Sequence, residues 1–191
     1  EIFEVINASA TKPFGFTPYY PGPGIGGHCI PIDPFYLTWK AREYGIHTRF
    51  IKLAGEINAS MPDWVVSKVS EALEQHGKSL SGAKVLILGV AYKKNVDDVR
   101  ETPSFKLMEL LLERQVEVDY HDPYIPRLTP TRDYDFQMSS VDFSAKKLME
   151  YDLVVLVTDH DTFDYDLIHK SAKCIVDTRG RYRHNKTVVK A

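Results

Sequence analysis

Three short apolar runs, KVLILGV at 84–90, LVVLV at 153–157 and CIVD at 174–177, constrain the fold of this chain more than any other feature. Each is rich in β-branched residues, shows no polar alternation and is too short for an ordinary helix, which is the pattern of a strand buried on both faces. A further strand pattern, VEVDY at 116–120, runs into Asp122–Pro123. Helical patterns lie between these runs. Thr102–Pro103 opens one over 104–114, with Phe105, Leu107, Met108, Leu111 and Leu112 apolar, and others fall at 145–151 and 163–171. Buried strands alternating with helices give a parallel sheet covered on both sides. The spacing therefore predicts an α/β, doubly wound, Rossmann-like domain in the second part of the chain.

The first part has a different texture. EIFEVINASATKP reads as a helix already under way, followed by a Pro- and aromatic-rich loop to residue 20. PFYLTWKAREY at 34–44 fits a helix ended by Gly45, and a longer helical pattern runs from about Phe50 to His76, closed by Gly77. Ala54, Ile57, Met61, Val65, Val69, Ala72 and Leu73 form one stripe at helical spacing, expected to face a core, with a subunit interface as the alternative. Pro62 is expected to kink this helix or start a new one. The polar KSLSGA marks a domain boundary, giving a helical segment over 1–77 and a sheet domain over 78–191.

Composition narrows the setting. The 191 residues are 43% hydrophobic and 26% charged, with a formal net charge of -2, so no global basic field points to nucleic acid. No apolar run is long enough to span a membrane. Two cysteines do not make a disulfide scaffold, and a reduced, cytoplasmic setting is expected. The chain starts at Glu1 without a signal-peptide pattern, and reads as the later part of something longer.

The segment PGPGIGGHCIPIDP at 21–34 carries the chemistry. Cys29 ends a Gly-rich loop just before a helix start, with Asp33 expected at the N-cap and Pro34 at the first helical position. Free N–H groups and the helix dipole favour thiolate there, the reactive form of the thiol. His28 is discounted as a partner, because adjacent residues of an extended segment point to opposite sides. Cys174, inside an apolar strand, is expected to be core. The first strand runs into GVAYKK, with one glycine where a dinucleotide fold carries G-x-G-x-x-G. Lys93 and Lys94 either reach phosphates by charge or form a solvated turn. Arg100 has Asp97 and Asp98 close by as salt-bridge partners.

GPGIGGHCIPIDPFYLTWKAREYG resembles the nucleophile segment of the nucleotide-sugar 6-dehydrogenases, the UDP-glucose/GDP-mannose dehydrogenase family. GVAYKKNVDDVRETPSFKLMELL resembles their second phosphate- and base-binding segment, and DYDLVVLVTDHDTFDY and IVDTRGRY also fit. TKPFGFTPYYPGPG looks most like the branch acting on UDP-N-acetylglucosamine. The resemblance implies three parts: an N-terminal NAD-binding domain, a central helical dimer-forming domain and a C-terminal UDP-binding domain. Residues 1–77 correspond to the later central part and 78–191 to the UDP-binding part. The NAD domain, with its upstream catalytic Lys and Asn, is not matched, so the chain alone is expected to be inactive.

What the resemblance implies is an NAD-dependent oxidation of a UDP-N-acetylhexosamine at C6. Cys29 would be the nucleophile and Asp33 would orient the hydrolytic water. Tyr20, Gly24, Gly26, Gly27, Tyr92, Lys93 and Arg179 would contact substrate, and Arg100 would reach NAD, with no metal. Homodimers or larger homo-oligomers are expected. Two departures bear on the sugar. Ile32 stands where UDP-glucose enzymes place a Lys, and Lys12 is the nearest basic residue to an Arg that some members direct across the dimer. Both favour an N-acetylhexosamine and leave its epimer open. A non-catalytic UDP-sugar-binding and dimerisation module is the alternative, which slow labelling of Cys29 would favour.

Overall fold

The computed structural model describes all residues, Glu1–Ala191. Three helices come first: α1 (Ile2–Ala10), α2 (Asp33–Glu43) and α3 (Arg49–Gln75). There follow β1 (Lys84–Leu88), α4 (Pro103–Glu113), β2 (Glu117–His121), α5 (Ala145–Leu148), β3 (Leu153–Leu156), α6 (Tyr165–Ser171), β4 (Ile175–Asp177) and β5 (Val188–Lys190). The strands form one sheet in the order β2-β1-β3-β4-β5, and every pairing is parallel. In the register, Ile87 lies opposite Tyr120 on one side and Val155 on the other.

Side chains alternate across a strand, so β1 feeds two cores. Val85 and Ile87 join Val65, Val69 and Leu73 of α3 and Leu107, Met108 and Leu111 of α4 on one face. Leu86 and Leu88 join Leu148 of α5 and Ile168 of α6 on the other. This is the doubly wound arrangement that the apolar runs predict. Local chemistry sets the helix starts. Thr102 caps α4 by accepting a hydrogen bond from the Ser104 N–H at 3.3 Å, with Pro103 first in the helix, and Asp164 caps α6 by accepting from the Leu167 N–H at 2.9 Å. Gly45 (φ 70°) and Gly77 (φ 69°) take the left-handed conformation that ends α2 and α3.

Three expectations are corrected or refined, and one strand is new. Asp33 is the first residue of α2 and Ile32 stands at the N-cap, with no side-chain cap. The cause is the Cys29 carbonyl, which accepts from the N–H groups of Ile32 (3.1 Å) and Asp33 (2.8 Å) and starts the helix one residue early. Next, α3 continues past the buried Pro62 as one helix, so the proline does not start a new one. Pro62 brings no N–H for the Asn58 carbonyl one turn back, and that carbonyl faces the 21–29 loop, 3.6 Å from where a Cβ on Gly24 would stand. The apolar stripe also divides. Val65, Val69, Ala72 and Leu73 are buried under the sheet, whereas Ala54 and Ile57 are exposed, so the change in packing falls within α3 near Pro62. Finally, β5 escapes a periodicity reading because three residues are too few to show one. No helix is long and apolar enough to cross a membrane.

Candidate functional site

The C-terminal ends of parallel strands are where an open α/β sheet binds ligands. Here the connections after β1, β3 and β4 rise from those ends, and the 21–29 loop lies across them. Its glycines make the close approach workable. The Gly27 N–H donates to the Arg100 carbonyl at 2.9 Å. A Cβ on Gly26 would stand 2.6 Å from Tyr92 Cβ and 2.7 Å from the Glu101 carbonyl oxygen, and one on Gly22 would stand 2.6 Å from Arg179 Nη1. At Gly26 no larger side chain fits, and at Gly22 one would have to push the Arg179 guanidinium aside.

A cavity of about 430 Å³ opens between the loop, the sheet ends and α3. Tyr20, Gly24, Gly26, Tyr92, Lys93 and Arg179 line it, six of the seven residues expected to touch substrate. The seventh, Gly27, sits just outside, where an added Cβ would stand 3.2 Å from the Tyr92 ring. Ile57, Asn58 and Met61 of α3 close the far wall. Sequence reasoning assigned Ile57 and Met61 to a core stripe and passed over Asn58; the signal available was their 57, 58, 61 spacing, one helix face beside a proline. A second cavity of about 820 Å³ lies on the other side of the loop, among α2, α3 and the start of α4. It shares only Gly24, Ile25 and Asn58 with the first and includes neither Lys93 nor Arg179.

The cavity is cationic at the sheet end. Arg179 is half-buried, with its Nε donating to the Val157 carbonyl at 2.6 Å and its backbone N–H donating to Asp177 Oδ1 at 2.9 Å. Burial pushes its guanidinium pKa down, and Asp159 and Asp177 oppose that shift. Lys93 is exposed and makes no ion pair, whereas Lys94 is turned away to Asp161 at 3.1 Å. Tyr20 donates its hydroxyl to Asn7 Oδ1 at 2.9 Å and stacks on Phe3 with ring centroids 6.2 Å apart. Two cations beside two phenol rings suit a phosphate group joined to a flat ring.

Cys29 is exposed, two residues beyond Gly27. His28 Nδ1 lies 3.3 Å from Cys29 Sγ, which corrects the reading that discounted this pair. The segment is not extended here: Gly27 has φ 97° and the Cys29 carbonyl begins the turn into α2, so neighbouring side chains converge. Asp33 is exposed at the start of that helix. Arg100 pairs with Asp98, Nε reaching Oδ1 at 3.0 Å and Oδ2 at 2.9 Å. The Arg100 hydrogen bond holds the Asp98 carboxyl below its ordinary pKa, and Asp98 in turn raises that of the guanidinium. Cys174 is fully buried, and burial pushes its thiol up to about 11.

Two family models match this chain: the central domain of the UDP-glucose/GDP-mannose dehydrogenase family over residues 1–60, and the UDP binding domain of the same family over residues 86–184. The chain belongs to that family. It is 33% identical over 173 residues to a UDP-N-acetyl-D-mannosamine dehydrogenase of Methanococcus vannielii, covering 86% of this chain and 37% of the relative. It is 32% identical over 159 residues to a UDP-N-acetyl-D-glucosamine 6-dehydrogenase of Pseudomonas aeruginosa, covering 83% of this chain and 36% of the relative. Among solved structures, a UDP-D-ManNAc dehydrogenase from Pyrococcus horikoshii superposes with a TM-score of 0.80 at 29% identity, over 99% of this chain and 43% of that one. The chain thus spans somewhat over a third of the length of these curated relatives.

Proposed function

We propose that this chain supplies the nucleophile and the substrate grip of an NAD-dependent dehydrogenase that oxidises the C6 hydroxyl of a UDP-N-acetylhexosamine to a carboxylate, with residues 1–77 as the later central part and 78–191 as the UDP-binding part. The observation that carries the reading is the convergence of Tyr20, Tyr92, Lys93 and Arg179 on one cavity beside the Cys29 loop. Lys93 and Arg179 take the diphosphate, and the glycines of the loop let the sugar lie against backbone. The family match and the relatives named for N-acetylated sugars support the substrate class.

The conversion removes four electrons, taken as two hydrides, the chemistry NAD supplies as acceptor. The connection after β1 does not fit a dinucleotide: it has the single glycine Gly89, and Tyr92 fills the space against Gly26. Arg100, exposed near Cys29, is what these residues offer that cofactor. The thiol chemistry is the chain's own. His28, 3.3 Å from Sγ, takes the thiol proton, and the thiolate adds to the C6 aldehyde left by the first oxidation. The aldehyde oxygen gains a proton, giving a thiohemiacetal whose carbon bears the hydrogen removed in the second oxidation. Loss of that hydride and of the hydroxyl proton gives a thioester. Water, oriented by Asp33, attacks the thioester carbon. The C–S bond breaks and the carboxylate leaves a free thiolate. The apolar helical segment is the surface through which copies of the chain associate into a homodimer or larger homo-oligomer.

Calorimetric titration with UDP, UDP-N-acetylglucosamine, UDP-N-acetylmannosamine and UDP-glucose tests the reading. The expected result is saturable binding, tighter for an N-acetyl sugar than for UDP-glucose. A chain that binds none of them overturns it.

A further inference from the structure

The connection that carries Tyr92 and Lys93 is fastened to the sheet by side chains that never line the cavity. Asp122, at the end of β2 and fully shielded, accepts the N–H groups of Val90 (2.8 Å) and Ala91 (3.1 Å) on Oδ2 and that of Tyr124 (2.9 Å) on Oδ1. The same Oδ2 lies 3.0 Å from Nε2 of His160, which is 0% exposed. His160 Nδ1 accepts the Asn95 N–H at 2.9 Å. With Nδ1 accepting a backbone N–H, it is Nε2–H that donates to Asp122. At the rim, Asn95 Nδ2 donates to Asp161 Oδ2 at 2.6 Å, and the Asp161 N–H donates back to Asn95 Oδ1 at 3.0 Å. Asn95 itself is held in the left-handed region at φ 62°. Residues 90–91 are pinned at one end and residue 95 at the other, with Tyr92 and Lys93 between.

We propose that Asp122, His160 and Asp161 are positioning residues that preset this connection, so that Lys93 and Tyr92 face the cavity before ligand arrives. The inference rests on the reading that the cavity grips UDP. Groups held in place beforehand lose little freedom on binding and so bind more tightly. Three residues on two different connections converge on Asn95 and its neighbours, which a purely local loop does not need.

Two substitutions probe the fastening in the full chain. His160→Gln retains a donor towards Asp122 at the Nε2 position and leaves no ring nitrogen at the Nδ1 position to accept the Asn95 N–H. Asp161→Ala alters an exposed side chain and leaves the core alone. Each is expected to weaken UDP binding about tenfold by calorimetry, as loss of one charge-assisted or buried hydrogen bond does. Asp161→Ala is expected to leave the urea unfolding midpoint unchanged. The discriminating arm is a double-mutant cycle with Lys93→Ala: once Lys93 is gone, either substitution loses most of its remaining effect on UDP affinity. Undiminished UDP binding in both single variants, or fully additive losses in the cycle, overturns the inference while leaving the functional reading intact. A wild-type chain that binds no UDP overturns both.

Discussion

Cys29 and Cys174 are the same residue in opposite surroundings. One is exposed beside a histidine ring; the other lies in β-sheet core with its thiol pushed up to about 11 by burial. A chromogenic disulfide reagent at pH 7.5 is expected to titrate one thiol rapidly in the folded chain and the second only in denaturant, with Cys29→Ser abolishing the fast phase. Two fast thiols would contradict the packing around β4. In the proposed reading Lys93, exposed and in no ion pair, is one of two cations that meet the diphosphate. Lys93→Ala is expected to weaken UDP binding by about 1.5–3 kcal/mol, and by less in high salt, with no effect on the unfolding midpoint. Gly89 combines φ 81° with a neighbouring Thr158 that a Cβ would overlap. Gly89→Ala is expected to lower stability by more than about 1 kcal/mol in urea titration.

At the scale of elements, what was legible depended on how many residues carried the signal. The β1 and β3 runs were plain because burial on both faces marks four or five adjacent positions, β4 because Cys174 extends its apolar run, and the 102–103 helix start because a capping Thr stands directly before a Pro. β5 was not: only Val188 and Val189 carry an apolar signal, and their pairing with β4 is decided by tertiary contact. The misplaced Asp33 shows the limit of cap reasoning: a carbonyl four residues upstream began the helical turn, and no side-chain identity records that. Two carboxylates bind separate elements together. Asp152, just before β3, accepts the Lys84 N–H at 2.8 Å and pairs with Lys78 at 2.6 Å; Asp122 holds the connection after β1. Burial pushes both carboxyl pKa values up, but hydrogen bonds from Lys78 to Asp152 and from His160 to Asp122, with backbone N–H donors, outweigh it and leave both below the ordinary value. Carboxyls held low in the folded state stabilise it above their unfolded value of about 4, and that contribution drains away as pH falls through the folded values. The urea midpoint is therefore expected to be level from neutrality to about pH 5 and to fall below about pH 4. Asp152→Asn should lower the neutral plateau and flatten the acid slope; a slope identical to wild type would count against the assignment.

For the molecule as a whole, the two parts are unequal in cover. α1 and α2 have no buried residue, and Phe50 at 87% and Trp39 at 62% stand open on the helical part, whereas the sheet is enclosed on both faces. Sedimentation is expected to show a mass rising above the 21.8 kDa of one chain as concentration increases; a monomer at all concentrations would argue that this apolar surface serves something other than self-association. The motifs of the site could be read from the chain because each is a contiguous string. Their meeting could not, since loop 21–29 and the strand ends are joined only through folding, and Asn58 enters the wall from a helix whose pattern reads as core. That helix has a mechanical consequence. α3 is a single rod of 27 residues, about 40 Å long, whose first half forms one wall of the cavity while its second half is bolted beneath the sheet that forms the other. Because one helix serves both places, a change that loosens Val65, Val69 or Leu73 beneath the sheet is expected to shift Ile57, Asn58 and Met61 in the wall as well.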